Sequence, residues 1–190
     1  SINGGNGSNG SKGSFEDPVR DTIRSLLDRL PPEFEMVHLS IRAKSFLSGP
    51  SGPYIVVAIQ ECRRMNLLLQ QIKRSLLDLE KGLNGSLNMS VEMENLSKDL
   101  SLNQWPKSWV NIPSQKNLMS QFSDITLRVE QLCSWVETFE VPKSIWLGGL
   151  FSPMSYITAA LQVTARQRGL ALDKMTMETH VTGMRYLSEI

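Results

Sequence analysis

Residues Ile55, Ala58, Cys62, Met65, Leu69, Ile72, Leu76, Leu79 and Leu83 recur at alternating spacings of three and four. This rhythm keeps them on one face of an α-helix for about four heptads, and it constrains the fold more than any other feature of the chain. One helix is predicted from near Tyr54 to about Gly85, roughly 45 Å long at the usual rise per residue. Val56, Val57, Ile59, Leu67, Leu68 and Leu77 widen the apolar stripe. A helix this broadly apolar needs neighbours on more than one side. Packing inside a helical bundle is the favoured reading, with a free coiled coil as the alternative.

The flanking sequence supplies those neighbours. Residues 1–13, S-I-N-G-G-N-G-S-N-G-S-K-G, form a Gly/Asn/Ser-rich segment expected to be a mobile loop, since it has too little apolar surface to offset its ordering entropy. A first helix is predicted from Asp17 or Pro18 to Leu30. Asp17 would cap it, Pro18 would take its first position, and Val19, Ile23, Leu26, Leu27 and Leu30 would form its inner face. Pro31-Pro32 ends it. A shorter helix from Glu33 to about Phe46 would carry Phe34, Val37, Ile41 and Phe46 as its apolar residues, and G-P-S-G-P then reads as a rigid turn. After Gly82 and Gly85, a helix from Met89 to Leu102 would turn Met89, Met93, Leu96 and Leu100 inward.

Trp105-Pro106-Lys107-Ser108-Trp109 is a break with two aromatic anchors. From Ser114 to Phe139 the spacing returns in Leu118, Phe122, Ile125, Val129, Leu132, Val136 and Phe139, the expected antiparallel partner of the long helix. Ser144–Leu150 reads as a short strand. Ser152 would cap the next helix, with Pro153 at its first position, Ile157, Ala160, Leu161 and Thr164 on one face, and Gly169 as a left-handed terminator. Weak alternation over Met175–Thr182 predicts a second strand. The fold class is therefore mainly α: a multi-helix bundle with long antiparallel helices and one or two short β-strands near the C-terminus. Its expected core includes Ile72, Leu76, Leu79, Val129, Leu132, Trp135, Trp146 and Ile157.

Composition narrows the function. The 190 residues carry a net charge of +1, so no global field draws the protein to nucleic acid or an anionic membrane. No apolar run reaches the 18 or so residues that span a bilayer. Arg63-Arg64 and Lys73-Arg74 read as solvated helix faces, with a filament-binding or acidic-partner patch as the sharper alternative. Cys62 and Cys133 both fall on apolar stripes and read as two buried thiols of a reducing compartment; a single disulfide stays open. N-x-Ser sequons at Asn6, Asn9, Asn84, Asn88 and Asn95 are expected by chance in so Asn- and Ser-rich a sequence. The chain begins with Ser1 and is read as a fragment.

Candidate chemistry is sparse. His38 and His180 are far apart and belong to no cluster with metal-ligand spacing. Glu92 and Glu94 lie two apart, so on a helix they diverge and make a poor acid/base pair. No phosphate-binding loop, nucleophile elbow, zinc-protease motif or dinucleotide-binding glycine pattern occurs. The tryptophans at 105, 109, 135 and 146 are dispersed rather than interleaved with basic residues, which favours packing anchors over base-stacking platforms. No catalytic, cofactor-binding or metal-ligating residue is assigned.

An ordered set of motifs adds what local physics cannot. It comprises Leu30-Pro31-Pro32-Glu33-Phe34; Arg64-Met65-Asn66 with Ile72-Lys73-Arg74-Ser75-Leu76 and Leu79; Asn88-Met89-Ser90; Pro106-Lys107-Ser108-Trp109; and Arg128-Val129-Glu130-Gln131-Leu132 with Trp135. Trp146-Leu147-Gly148-Gly149-Leu150-Phe151 with Pro153, Tyr156-Ile157-Thr158, Leu161-Gln162, Ala165-Arg166 and Leu172-Asp173 complete it. From Asp17 to Thr182 the sequence resembles the C-terminal domain of dynein heavy chains, most closely the axonemal type, and its glycine-rich start is similar to a variable loop of axonemal members. Residues 14–182 would be this helical domain in partial form, with 183–190 a tail outside the family pattern.

The resemblance implies a non-catalytic segment bracing the AAA+ ring of a minus-end-directed microtubule motor of cilia and flagella. Its partners would be AAA+ modules of the same heavy chain and, through the parent, dynein subunits and microtubules, with no nucleic acid and no membrane. ATP and Mg would belong to the parent ring and no cofactor to this segment. The implied location is the cytoplasm and cytoskeleton, in the axoneme. A free-standing helical adaptor that binds a partner helix is the rival reading.

Overall fold

A computed structural model describes residues 13–109 and 116–183. Six α-helices run in sequence order: α1 Gly13–Arg29, α2 Met36–Leu47, α3 Gly52–Leu83, α4 Val91–Ser101, α5 Leu118–Thr138 and α6 Pro153–Arg168. Short 3-10 turns lie at Leu147–Gly149 and Leu172–Lys174. The expected start of α5 at Ser114, most of the N-terminal loop and nearly all of the C-terminal tail lie outside the described residues.

The protein falls into two compact units, residues 1–31 with 68–123 and residues 32–67 with 124–190. In the first, α1 packs against α4. Val19, Ile23 and Leu26 of α1, Leu68, Leu69, Ile72, Leu76 and Leu79 of α3, and Leu96 and Leu100 of α4 are buried together with Trp109, Leu118 and Phe122. Ser90 caps α4 by accepting from the Met93 amide, satisfying one of the orphan N–H groups of a helix start. Arg20 reaches from α1 to the Leu83 carbonyl at 2.6 Å, covering the far end of α3.

In the second unit, Tyr54, Ile55, Val57, Ala58, Cys62 and Met65 of α3 and Ile125, Val129, Leu132, Trp135 and Val136 of α5 are buried. Aromatic contacts tie later segments in: Tyr156 of α6 lies 5.3 Å from Tyr54 and 5.6 Å from Trp135, ring centre to ring centre. Phe139, just past α5, stacks against Phe46 at 5.6 Å. It sits at a φ of 56°, a left-handed conformation that costs a bulky residue energy and persists because the ring is buried.

Several expectations are corrected. Helix α1 begins at Gly13, so Pro18 lies inside it rather than at its first position. The α2 face is inverted: Leu39 and Ala43 are buried, while Val37 and Ile41 are 75% and 61% exposed and Phe46 is only partly covered. In a helix of about three turns, the apolar set at Val37 and Ile41 is matched by a second set on the opposite side, and packing selects Leu39 and Ala43. Met89 is exposed and precedes α4. In α6 the buried residues are Ala159, Val163 and Ala165, not the predicted set.

No strand occurs among the described residues. Ser144–Leu150 folds partly into a 3-10 turn. Met175 is extended, at φ −100° and ψ 134°, but its N–H turns back to the Leu172 carbonyl at 3.2 Å and forms no ladder with another described segment, and a strand exists only with such a partner. Cys133 is exposed while Cys62 is buried, and both are free thiols. Gly169, with φ 62°, ends α6 as expected, its N–H bonding back to the last turn.

Candidate functional site: a glycine-pair loop clamped by buried polar residues

The loop from Phe139 to Ser152 joins α5 to α6 and contains the paired glycine. The Trp146 indole folds back over that pair. A Cβ on Gly149 would lie 2.6 Å from the indole Cε3, and one on Gly148 would lie 3.0 Å from its Nε1. Neither position accommodates a side chain unless the ring moves, so the pair is a requirement of close approach.

Three side chains from the long helices hold this loop. Glu61 of α3 is 1% exposed. Its carboxylate accepts from the Phe151 amide at 2.6 Å and from the Ser152 amide at 2.9 Å. A buried carboxylate is costly unless its oxygens are bonded, and two charge-assisted bonds satisfy that condition. Ser152 is the residue before α6, so the negative charge also sits at the positive end of a helix. The Ser152 side chain makes no capping bond; its hydroxyl pairs with that of Ser155 at 2.6 Å. Glu61 thus replaces the serine cap expected from the sequence. Arg64 approaches the Glu61 carboxylate to 3.6 Å from a half-exposed position and adds little.

Arg128 of α5, 6% exposed, donates to the Gly148 carbonyl at 3.0 Å. Its guanidinium lies 5.5 Å from the Trp146 ring centre and 6.0 Å from that of Phe151, within cation–π range of both. Burial pulls its pKa down, opposed by the charges of Asp124 and Glu61. One turn further on, Gln131 pairs its amide with the Trp146 backbone, accepting from N–H at 2.7 Å and donating to C=O at 3.3 Å. Together these side chains fix three amides and two carbonyls of the loop.

The same device recurs at other breaks. In the second unit Asn66 bonds both the N–H and the C=O of Phe34, each at 2.8 Å, holding the segment after the double proline. In the first unit Ser75 accepts from the Trp109 indole at 2.8 Å, while Gln71 donates to the Ser108 carbonyl. Trp105 meets Trp109 edge to face, 4.9 Å between centres. The double-proline turn, the Trp105–Trp109 break and the glycine-pair loop are therefore each tied to a polar side chain of α3.

Of the expected core residues, Ile72, Leu76, Leu79, Val129, Leu132 and Trp135 are buried. Trp146 is 41% exposed because only one face rests on the glycine pair, and Ile157 is half-buried. His38 is exposed; His180 is exposed beside Glu178 at 3.5 Å. Glu92 lies in the first turn of α4, where its own amide and the Ser90 hydroxyl lower its pKa. Sequence reasoning missed Glu61. Its signal was available: an acidic residue next to Cys62, on the buried side of an otherwise apolar ridge. Among the described residues no three His, Cys, Asp or Glu side chains gather as a metal site requires, and no helix is long and apolar enough to cross a membrane.

The helices, the clamped breaks and the ordered motifs define a helical packing module. The family model for the C-terminal domain of the dynein heavy chain matches residues 1–189, and the protein belongs to that family. It is 39% identical over 169 residues to the ciliary dynein beta chain of Tripneustes gratilla, 41% over 171 to the flagellar outer arm dynein beta chain of Chlamydomonas reinhardtii, and 38% over 169 to human dynein axonemal heavy chain 9. These alignments cover 88–89% of this chain and 4% of each relative, so it spans a small fraction of the length of the curated relatives it matches.

Proposed function

We propose that this domain is a non-catalytic brace of an axonemal dynein heavy chain, stiffening the AAA+ ring of a microtubule motor in cilia or flagella. The observation that carries the reading is the clamped loop. Glu61, Arg128 and Gln131 spend their polar groups on backbone atoms of Trp146–Ser152, which makes a rigid joint. Packed interiors of this kind transmit strain instead of absorbing it. In this reading α3 and α5 form an antiparallel pair, which is supported by the later half of α3 sharing a unit with the start of α5, and the earlier half with its end. ATP and Mg belong to the ring, no cofactor belongs to this segment, and the partners are ring modules of the same heavy chain. The family membership and the ciliary and flagellar relatives support the axonemal setting.

The test is made in the parent motor. Glu61→Ala should lower microtubule gliding velocity per ATP hydrolysed, while nucleotide affinity of the ring stays within about twofold of wild type. Unchanged gliding per ATP would overturn the bracing role. ATP turnover by the isolated domain that survives stringent purification would overturn its non-catalytic character.

A further inference from the structure

The last buried residue of α2 is Ala43, and from Lys44 to Ser48 every residue is exposed. Two contacts tie this end of the helix to the end of α5. Arg42 donates to the Glu137 carbonyl at 2.6 Å and lays its guanidinium 5.3 Å from the centre of the Phe139 ring. Phe46 stacks on that same ring. Both contacts therefore converge on Phe139, the left-handed residue at which the glycine-pair loop begins. Ser45 stands between them. Its hydroxyl is exposed and donates to the Arg42 carbonyl at 3.0 Å. It is the one serine or threonine of the sequence with a cation at both the third and the first position before it, Arg42 and Lys44. No acidic residue occurs between Met36 and Gln60.

We propose that Ser45 is a phosphorylation site for a protein kinase that reads basic residues, and that its phosphate unties α2 from α5 by capturing Arg42. A substrate cleft lined with carboxylates attracts two nearby cations and would be repelled by acids, which this stretch lacks. Ser75 also follows two cations, Lys73 and Arg74, but it is half-buried inside α3 and its hydroxyl accepts from the Trp109 indole at 2.8 Å. Ser45 has neither restraint. A kinase needs its substrate extended, and helix ends open most easily. Unwinding the final turn of α2 sacrifices no buried side chain. In the transfer, the Ser45 hydroxyl oxygen bonds to the γ-phosphorus of ATP, the bond to the β-bridging oxygen breaks, and ADP leaves with its electron pair. The hydroxyl proton passes to the kinase's base. The product carries a charge of about −1.5 to −2 at the negative end of a helix, which weakens the last turn. Arg42 lies three positions earlier, within reach of that phosphate. Pairing with it draws the guanidinium from the Glu137 carbonyl and the Phe139 ring. The site goes beyond the bracing role and does not depend on it.

The test uses the purified full-length heavy chain, ATP and, in separate arms, a basic-directed, an acid-directed and a proline-directed kinase, with phosphopeptides mapped by mass spectrometry. Phosphate at Ser45 is expected with the basic-directed kinase alone, and none at this position in Ser45→Ala. Arg42→Gln with Lys44→Gln should lower incorporation at least about tenfold; both side chains are exposed, so folding is spared. Hydrogen exchange then reads the untying. The Phe139 amide donates to the Trp135 carbonyl at 3.1 Å and the Glu140 amide to the Thr138 hydroxyl at 3.2 Å. Phosphorylation should speed their exchange at least about fivefold, and Arg42→Gln alone should do so without phosphate. Phosphate at Ser75 but not Ser45, no incorporation by the basic-directed kinase, or labelling of Ser45 indifferent to the two cations would overturn the site. Exchange at Phe139 and Glu140 unchanged by the phosphate or by Arg42→Gln would overturn the untying.

Discussion

Glu61 is the residue on which the loop geometry turns. Replacing it with Ala strips two half-buried amides of their acceptor, a loss of about 3 kcal/mol on unfolding in denaturant. Gln keeps one acceptor and turns an amino group toward the other amide, so its cost should be smaller, about 2 kcal/mol. Gly149→Ala tests the other side of the joint. The new methyl would meet the Trp146 ring 2.6 Å away, and overpacking of this kind costs about 1–3 kcal/mol. The double variant with Trp146→Ala should recover most of that loss, giving a coupling energy that two independent sites would not show. Cys62 supplies a pH signature. Burial, reinforced by Cys133 and Glu61, pushes its thiol from an ordinary 9.0 up to about 12. The unfolded state therefore releases this proton first, and the stability contribution, complete below pH 9, is lost as pH rises toward 12. Cys62→Ala should flatten that alkaline slope, measured by denaturant midpoints across pH. Part of the slope should persist, because Tyr54 and Tyr156 are raised by burial in the same sense. In the native protein, a thiol reagent should modify Cys133 and spare Cys62.

At the scale of elements, α3 is the spine, and its two kinds of residue act differently. Leu76→Ala removes a fully buried side chain and should cost about 2–5 kcal/mol, whereas Leu67→Ala, on the exposed side of the same helix, should stay within about 0.5 kcal/mol. Urea unfolding of the two variants measures the contrast. The α3 and α5 ridges were legible because many turns of consistent spacing leave one self-consistent face; every predicted α5 ridge residue from Leu118 to Phe139 is buried. Helix α2 was misread because about three turns leave two competing faces, and only the packing at Leu39 and Ala43 decides between them. Trp146 was misplaced for a different reason. Size alone marks an aromatic as core, but this one is held by glycines and Arg128 from one side. The predicted strands do not form among the described residues, because alternation describes a strand's two faces and says nothing of whether a partner exists. The clamps were hidden because a polar residue on an apolar helix looks like noise until the loop it ties is known.

For the molecule as a whole, a brace requires that breaks between helices be held as firmly as the helices, so that force passes along the domain. That property is mechanical, yet it has a local reporter. The Phe151 and Ser152 amides are donated to a carboxylate within the second unit, and their exchange with solvent requires that joint to open. Hydrogen exchange of Trp146–Ser155, followed by mass spectrometry, measures that opening directly. Protection of these amides comparable to the buried turns of α3 and α5, lost in Glu61→Ala, is the predicted result. Exchange as fast in the native protein as in the exposed stretch after Gly169 would contradict it.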